Sequence, residues 1–427
     1  MAGTIAVAAV VALAGLWALS ALAPGTASAD GPFTSPHPGT SAVTDSCAAC
    51  HRLHTAQNNL LISASPQSTL CFTCHDSAGS GSNYRVEADF QGIPANDPAL
   101  GIYYSHPATT ASSHTSARVD EFSQQTNRHS ECGDCHDPHK VNPAAPTQTS
   151  SGWTVSGALA NITGVARQGG GLVWNDPIAY EYQLCYKCHS GYTGLLSVKL
   201  DQAAEFDPGN ASYHPVEASG QNTTTAMTNS LAGGTLWRFT TSETIRCTNC
   251  HGNSLLVGGP PTLNTPANSA RLAPHASVNP GILIANYRDR QLKTSTEAYD
   301  TNDFTLCYLC HKEAPFQDTS GDSRDDTNYP LHGFHLGGIA DEGGGGASTD
   351  IYRPGAGQGN AICAECHYRI HGTALADWPG NQNYQRGVNF APNVGPVGGQ
   401  LGPLWSGPAN KSCTLVCHGT THDAKGY

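Results

Sequence analysis

The sixteen cysteines of this 427-residue chain fall into eight pairs, and a histidine follows the second cysteine every time. The sets are Cys47-x-x-Cys50-His51, Cys71-x-x-Cys74-His75, Cys132-x-x-Cys135-His136 and Cys185-x-x-Cys188-His189. Then come Cys247-x-x-Cys250-His251, Cys307-x-x-Cys310-His311, Cys363-x-x-Cys366-His367 and, with one residue more in its spacer, Cys413-x-x-x-Cys417-His418. Two thiols at this spacing can add across the two vinyl groups of one porphyrin. The adjoining imidazole then covers the ring and takes the proximal position on its iron, which is the chemistry of c-type haem attachment. Zinc ribbons and disulfides are the competing uses of paired cysteines, and neither asks for a histidine after each second cysteine. With His at 20 of 427 positions, eight out of eight by chance is on the order of 10⁻¹¹. The spacing therefore predicts eight covalently bound c-type haems, and no cysteine is left over for a disulfide or a catalytic thiol.

A six-coordinate iron needs a second axial donor. Removing the eight motif histidines from the twenty leaves His37, His54, His106, His114, His129, His139, His214, His275, His332, His335, His371 and His422. The two methionines, one of them Met1, are too few for Met/His sites. A repeat selects among the twelve. Odd-numbered motifs are followed by a second histidine: His54, His139, the delayed His275 and His371. Each odd motif is also preceded by an isolated histidine, three times as His-Pro: His37, His106, His214, and then His335 or His332. Even-numbered motifs two, four and six share the lead-in Leu-Cys-Phe/Tyr. The chain thus divides into four di-haem units at approximately 30–98, 99–205, 206–320 and 321–427. The predicted distal ligands are His37, His54, His106, His139, His214, His275, His335 and His371, with His332 and His422 as alternates. A follower histidine cannot reach the opposite face of its own haem, so it is expected on a neighbouring one. His114 and His129 read as solvent-exposed.

The elements that must position these groups look sparse. Only 38% of the chain is hydrophobic and 13% charged, with 47 Gly and 27 Pro, both fractions below those of an ordinary soluble domain. Such a chain lacks the aliphatic side chains for a large core. Eight porphyrin discs would supply the missing apolar surface. The expected fold is mostly irregular and loop-built, with a few short helices and strands and with the haem chain as its core. Short helices are expected at the binding motifs and over Ser197–Phe206, and a strand over Leu236–Arg246, where apolar and polar residues alternate. Gly258–Pro261 and Gly343–Gly346 read as loops. Asp318–Asp326 reads as a solvated acidic loop, since it lacks the EF-hand pattern.

Residues 4–23 form one apolar run that ends before Ala27-Ser28-Ala29. This predicts a signal peptide over 1–29 and an exported chain, although no Lys or Arg precedes the run; an uncleaved membrane anchor is the alternative. The net charge of −12 argues against nucleic acid and against an anionic membrane face as partners.

Through its spaced motifs the chain resembles the multihaem c-type cytochromes with doubled C-x-x-C-H motifs. More particularly it resembles the extracellular cytochrome filaments of metal-respiring bacteria, the OmcS-type nanowires. The resemblance is carried by Cys47–His54, Leu70–His75, Cys132–His139, Leu184–His189, His275, Leu306–His311 and Cys363–His371. It implies all-bis-His haems in a continuous chain along a loop-built subunit. In some members an N-terminal histidine ligates a haem of the adjacent subunit. It also implies a secreted protein, extracellular or at the cell surface, that passes electrons between other cytochromes and extracellular acceptors.

Ligand order allows a polymer. If each His-Pro imidazole serves the second haem of the unit before it, His106, His214 and His335 go to haems two, four and six. His37 would then ligate haem eight of the next subunit in a head-to-tail filament. The opposing assignment puts His37 on haem one or two of its own chain and closes haem eight with His422, giving a monomeric, periplasmic electron carrier. An octahaem reductase is the enzymatic rival. It would need one five-coordinate iron as a Lewis acid, whereas every motif here ends in His.

Overall fold

The computed structural model describes residues 37, 46–57, 61–78, 84, 86–91, 104–109, 130–192, 201–253, 273–317, 327–338, 350–352, 359–374 and 384–427. The apolar segment 1–29, His114, His129, Gly258–Pro261, Asp318–Asp326 and Gly343–Gly346 lie outside them. Most described residues lie in loops and turns. The longest described helix is Glu181–His189, and no described helix is long and apolar enough to cross a membrane.

Short helices carry the cysteine motifs at Ser46–Cys50, Gln67–Cys71, Cys132–Cys135, Glu181–His189, Thr305–Tyr308 and Cys363–Cys366, and a 3₁₀ turn carries Cys247–Asn249. Three of the odd motifs cap themselves. The residue before the second cysteine accepts the backbone N–H that opens the helix: Asp134 from Glu131 at 2.8 Å, Asn249 from Arg246 at 2.7 Å and Glu365 from Ile362 at 2.9 Å. Such a contact satisfies one of the donors that a helix start leaves unpaired. In the even motifs the Leu and aromatic lead-in is an anchor. Leu70, Tyr186, Leu306 and Tyr308 are buried, and Tyr186 donates to Glu217 at 2.6 Å.

Among the described residues, four small sheets hold the loops. Strands β1 (Tyr104–Ser105) and β6 (Ala276–Ser277) pair Ser105 with Ala276, far apart in sequence, and β2 (Gln148–Thr149) pairs with β3 (Gly152–Trp153). Strands β4 (Gly164–Gln168) and β5 (Gly171–Asn175) form a hairpin. Its loop residues Gly169 and Gly170 both have positive φ, the requirement of a type I′ turn. Strands β7 (Leu404–Trp405), β8 (Ser412–Cys417) and β9 (Thr420–Gly426) make the C-terminal sheet.

Two expectations fail here. Leu236–Arg246 is not a strand: the amides of Leu236 and Trp237 are both taken by the Leu309 carbonyl, and a turn follows at Thr240–Glu243. Motif eight is not helical but lies along β8, whose backbone is paired on one side with β7 and on the other with β9. Within 197–206 the helix is Gln202–Glu205, capped by Asp201, which accepts from Ala204 at 3.2 Å; residues 197–200 lie outside the described residues.

The described apolar residues form four separate clusters rather than one core. Each abuts motif cysteines: Cys307 and Cys363, then Cys247, then Cys250 and Cys310, then Cys366, Cys413 and Cys417.

Candidate haem-binding sites

Two imidazoles bound through Nε2 to opposite sides of one metal ion, each at about 2.0 Å, hold their ring centres about 6 Å apart. Among the described residues, five pairs have this separation and join a motif histidine to a non-motif one. They are His51–His139 at 6.0 Å, His75–His37 at 6.1 Å, His136–His275 at 6.3 Å, His189–His106 at 6.3 Å and His251–His371 at 6.0 Å. His214 neighbours His311, and His332 neighbours His367. His335 lies 6.4 Å from His422 and beside His418.

The Nδ1 atoms of these rings are engaged. Nδ1 of His75 donates to the carbonyl of Tyr84, that of His136 to Ala158, His251 to Gly281 and His367 to Gly387, at 2.7–3.2 Å. A carbonyl oxygen only accepts, so Nδ1 carries the proton and Nε2 keeps its lone pair for a metal. This is the outer-shell arrangement expected of metal-binding imidazoles. His275 uses a carboxylate instead, Asp89 at 3.2 Å, which Asn253 holds from its other oxygen at 2.6 Å.

One device recurs three times. The histidine ahead of an odd motif donates its Nδ1 proton to the carbonyl just before a follower histidine: His37 to Pro138 at 2.9 Å, His106 to Pro274 at 2.6 Å, and His214 to Ile370. In the last two the backbones also pair, His106 N to His275 O at 3.1 Å and His214 N to His371 O at 2.9 Å. The short strands β1 and β6, and the Tyr213–Gly372 bridge, place these segments. Gly372 is needed there, since a Cβ would sit 1.8 Å from the Glu205 carbonyl oxygen.

This register corrects the predicted order. His106 and His214 face motifs four and six of their own sequence units, not those of the units before. The followers His139, His275 and His371 reach back to motifs one, three and five. His37 faces His75 of its own chain, which runs against its assignment to a neighbouring subunit. His54 is exposed and meets no other imidazole among the described residues.

Burial holds several rings neutral. Desolvation lowers His136, His189 and His311 to about 4, and His332 and His371 to about 3; neighbouring imidazoles add to it. Consecutive motifs also abut. Cys71 hydrogen bonds to Cys132, Cys185 to Cys247 and Cys307 to Cys363, and Cys50 neighbours Cys74, Cys135 neighbours Cys188, Cys250 neighbours Cys310 and Cys366 neighbours Cys413. The motifs thus follow one another in space in the order of the sequence.

Motif eight departs from the rest. His418 is buried, and its Nε2, not its Nδ1, is bonded, to Glu365 at 2.8 Å. Sequence reasoning missed Glu365 and Asp89. Glu365 stands in the motif-seven spacer before the second cysteine, where it also accepts the Ile362 amide. Asp89 carries no local signal.

A family model described as the doubled CXXCH motif matches residues 40–80, the segment bearing Cys47–His51 and Cys71–His75. No curated protein and no solved structure matches the chain. With the imidazole pairs described above, the doubled motif supports a multihaem c-type cytochrome, a protein that binds haem covalently and transfers electrons.

Proposed function

We propose that the chain binds eight c-type haems in sequence order and conducts electrons along them, all irons bis-His. The observation that carries this reading is the set of five imidazole pairs 6.0–6.3 Å apart, because that separation suits one iron between each pair. When bound, haem iron supplies one-electron exchange between Fe(III) and Fe(II). The protein's residues do the rest. Paired imidazoles fill both axial positions and leave no place for a substrate, and Nδ1 partners set each ligand's basicity and so each potential. The abutting cysteines would hold successive haems as neighbours. Film voltammetry tests this: the holoprotein gives reversible one-electron waves and no catalytic wave with nitrite, hydroxylamine or tetrathionate. A catalytic wave would favour the reductase.

The assembly we propose is a secreted head-to-tail homopolymer at or beyond the cell surface, fed by other cytochromes and discharging to extracellular acceptors. Its joint is His54, not His37. The repeated device gives every follower histidine to the odd motif of the preceding unit. His54 occupies a follower's place in the repeat but is exposed and meets no other imidazole among the described residues. A second copy supplies its partner: His54 of the next subunit serves the haem of His367, in competition with His332. The exposure of Leu53, at 81%, suits a segment that docks elsewhere. Imaging of secreted material separates the assignments. His54→Ala abolishes filaments while His37→Ala leaves them intact; the reverse would return the joint to His37.

A further inference from the structure

The loop that orients the seventh motif's histidine also carries an arginine without an acceptor among the described residues. His367 donates its Nδ1 proton to the Gly387 carbonyl at 3.0 Å. The buried Ser212 hydroxyl fixes that loop at both ends: it accepts the Gly387 amide at 2.7 Å and donates to the Tyr384 carbonyl at 2.7 Å. Thr373 donates to the same carbonyl at 3.1 Å. Arg386 lies between these anchors, one residue before the carbonyl that holds His367.

Its backbone is strained. Arg386 has φ of 55°, in the left-handed region that a Cβ disfavours and glycine enters freely. A residue persists in such a conformation where its surroundings over-determine it, and these positions gather at functional sites. The strain buries part of a guanidinium: Nη1 is shut off from solvent and meets no hydrogen-bond partner.

The other arginines show how unusual this is. Arg167, Arg246, Arg288, Arg290 and Arg369 each hold a carboxylate, and among the described residues Arg386 holds none. The buried carboxylate of motif seven, Glu365, is already taken by the Ile362 amide, Asn393 and His418. Burial raises the Tyr427 hydroxyl's pKa and the Arg386 charge opposes that rise, so the two side chains are neighbours. Tyr427 packs in the cluster that holds Cys366, Cys413 and Cys417. An unmatched cation therefore stands where motifs seven and eight meet. Burying part of a charge without a counter-charge is unfavourable. A c-type haem supplies the missing anion, since its propionates are its only charged acceptors, and a guanidinium matches a carboxylate in a two-pronged bond.

We propose that Arg386 binds a propionate of the haem held by His367 and raises that haem's reduction potential by offsetting the propionate charge. One short loop then sets both the seventh iron's ligand, through Gly387, and its carboxylate, through Arg386. The inference rests on the eight-haem reading. Spectroelectrochemical titration of the haem α band, resonance Raman of the propionate bending modes and intact mass of the holoprotein test it. Arg386→Gln lowers the midpoint of one-eighth of the amplitude, equivalent to about a tenfold change in that haem's Fe(III)/Fe(II) ratio at fixed potential, and shifts one propionate band. Arg386→Lys restores most of the midpoint. Arg386→Gly, which relieves the left-handed backbone, lowers the midpoint as far as Arg386→Gln; an arginine with a merely structural role would leave it unmoved. Eight adducts with unchanged midpoints in Arg386→Gln and Arg386→Gly overturn the assignment and leave the eight-haem reading standing. A wild type with fewer than eight adducts overturns both.

Discussion

Replacing Asp89 by Asn raises the reduction potential of the third haem. Asp89 is the carboxylate behind His275, its Oδ2 3.2 Å from Nδ1. Adding about 2 Å across the ring and about 2 Å for the metal bond puts the charge about 7 Å from the iron. At an effective dielectric of about 20, a unit charge at that distance is worth about 2.4 kcal/mol. The Asp89 and His275 side chains are 25% and 21% exposed, so solvent and salt reduce this to roughly 1–2 kcal/mol. The negative charge favours Fe(III) over Fe(II), so removing it shifts the potential upward. For one electron, 59 mV corresponds to about 1.4 kcal/mol, which gives a rise of roughly 40–90 mV. Asn keeps an acceptor for His275, so ligation survives. In a spectroelectrochemical titration of the haem α band, one-eighth of the amplitude moves up by that amount and the rest stays. Ser230→Ala, which removes only a neutral hydroxyl 3.1 Å from His311 Nδ1, is the control. An unchanged titration, or a downward shift, would refute the placement of Asp89 behind an axial ligand.

Gly372→Ala drives a Cβ into the Glu205 carbonyl, displaces His371 from its place opposite His251, and converts one haem to high spin. Overpacking of this kind costs about 1–3 kcal/mol; carbon monoxide binding at one site per chain detects it. Asp134→Ala removes the cap on the Cys132–Cys135 helix and costs about 1 kcal/mol, read as a melting temperature lower by about 1–2 °C. The pH response follows from burial. His136, His189 and His311 are held near 4 against an ordinary 6.5, so between those values the unfolded chain binds more protons than the folded one. Stability therefore rises with pH across that window and falls as acid is added. The melting temperature accordingly falls as the pH is lowered from about 6.5 towards about 4; a melting temperature unchanged across that window would contradict it.

Attachment chemistry was legible because it is local: two thiols and an imidazole within six residues cannot be mistaken for a scattered core pattern. Candidate distal histidines were legible from their period. Their partners were not. His106 meets His275, and His214 meets His371, through two-residue strands and single bridges joining segments about 160 residues apart, and so short a pairing has no periodicity to read. The earlier-unit order assumed from the sequence failed by one unit for this reason. Motif eight differs from the others in conformation. Its His-Gly, read as the end of a haem motif, also satisfies a type I′ turn, and the strands on either side decide for the hairpin. Alternation over Leu236–Arg246 misled because its first amides belong to the Leu309 carbonyl.

Near-infrared magnetic circular dichroism of the oxidised holoprotein, quantified against iron per chain, addresses the linked bis-His irons at their root. Eight low-spin irons per polypeptide, each with two nitrogen ligands, is the expected spectrum. A high-spin iron, a His/Met band or fewer than eight would break the chain of saturated centres on which conduction depends.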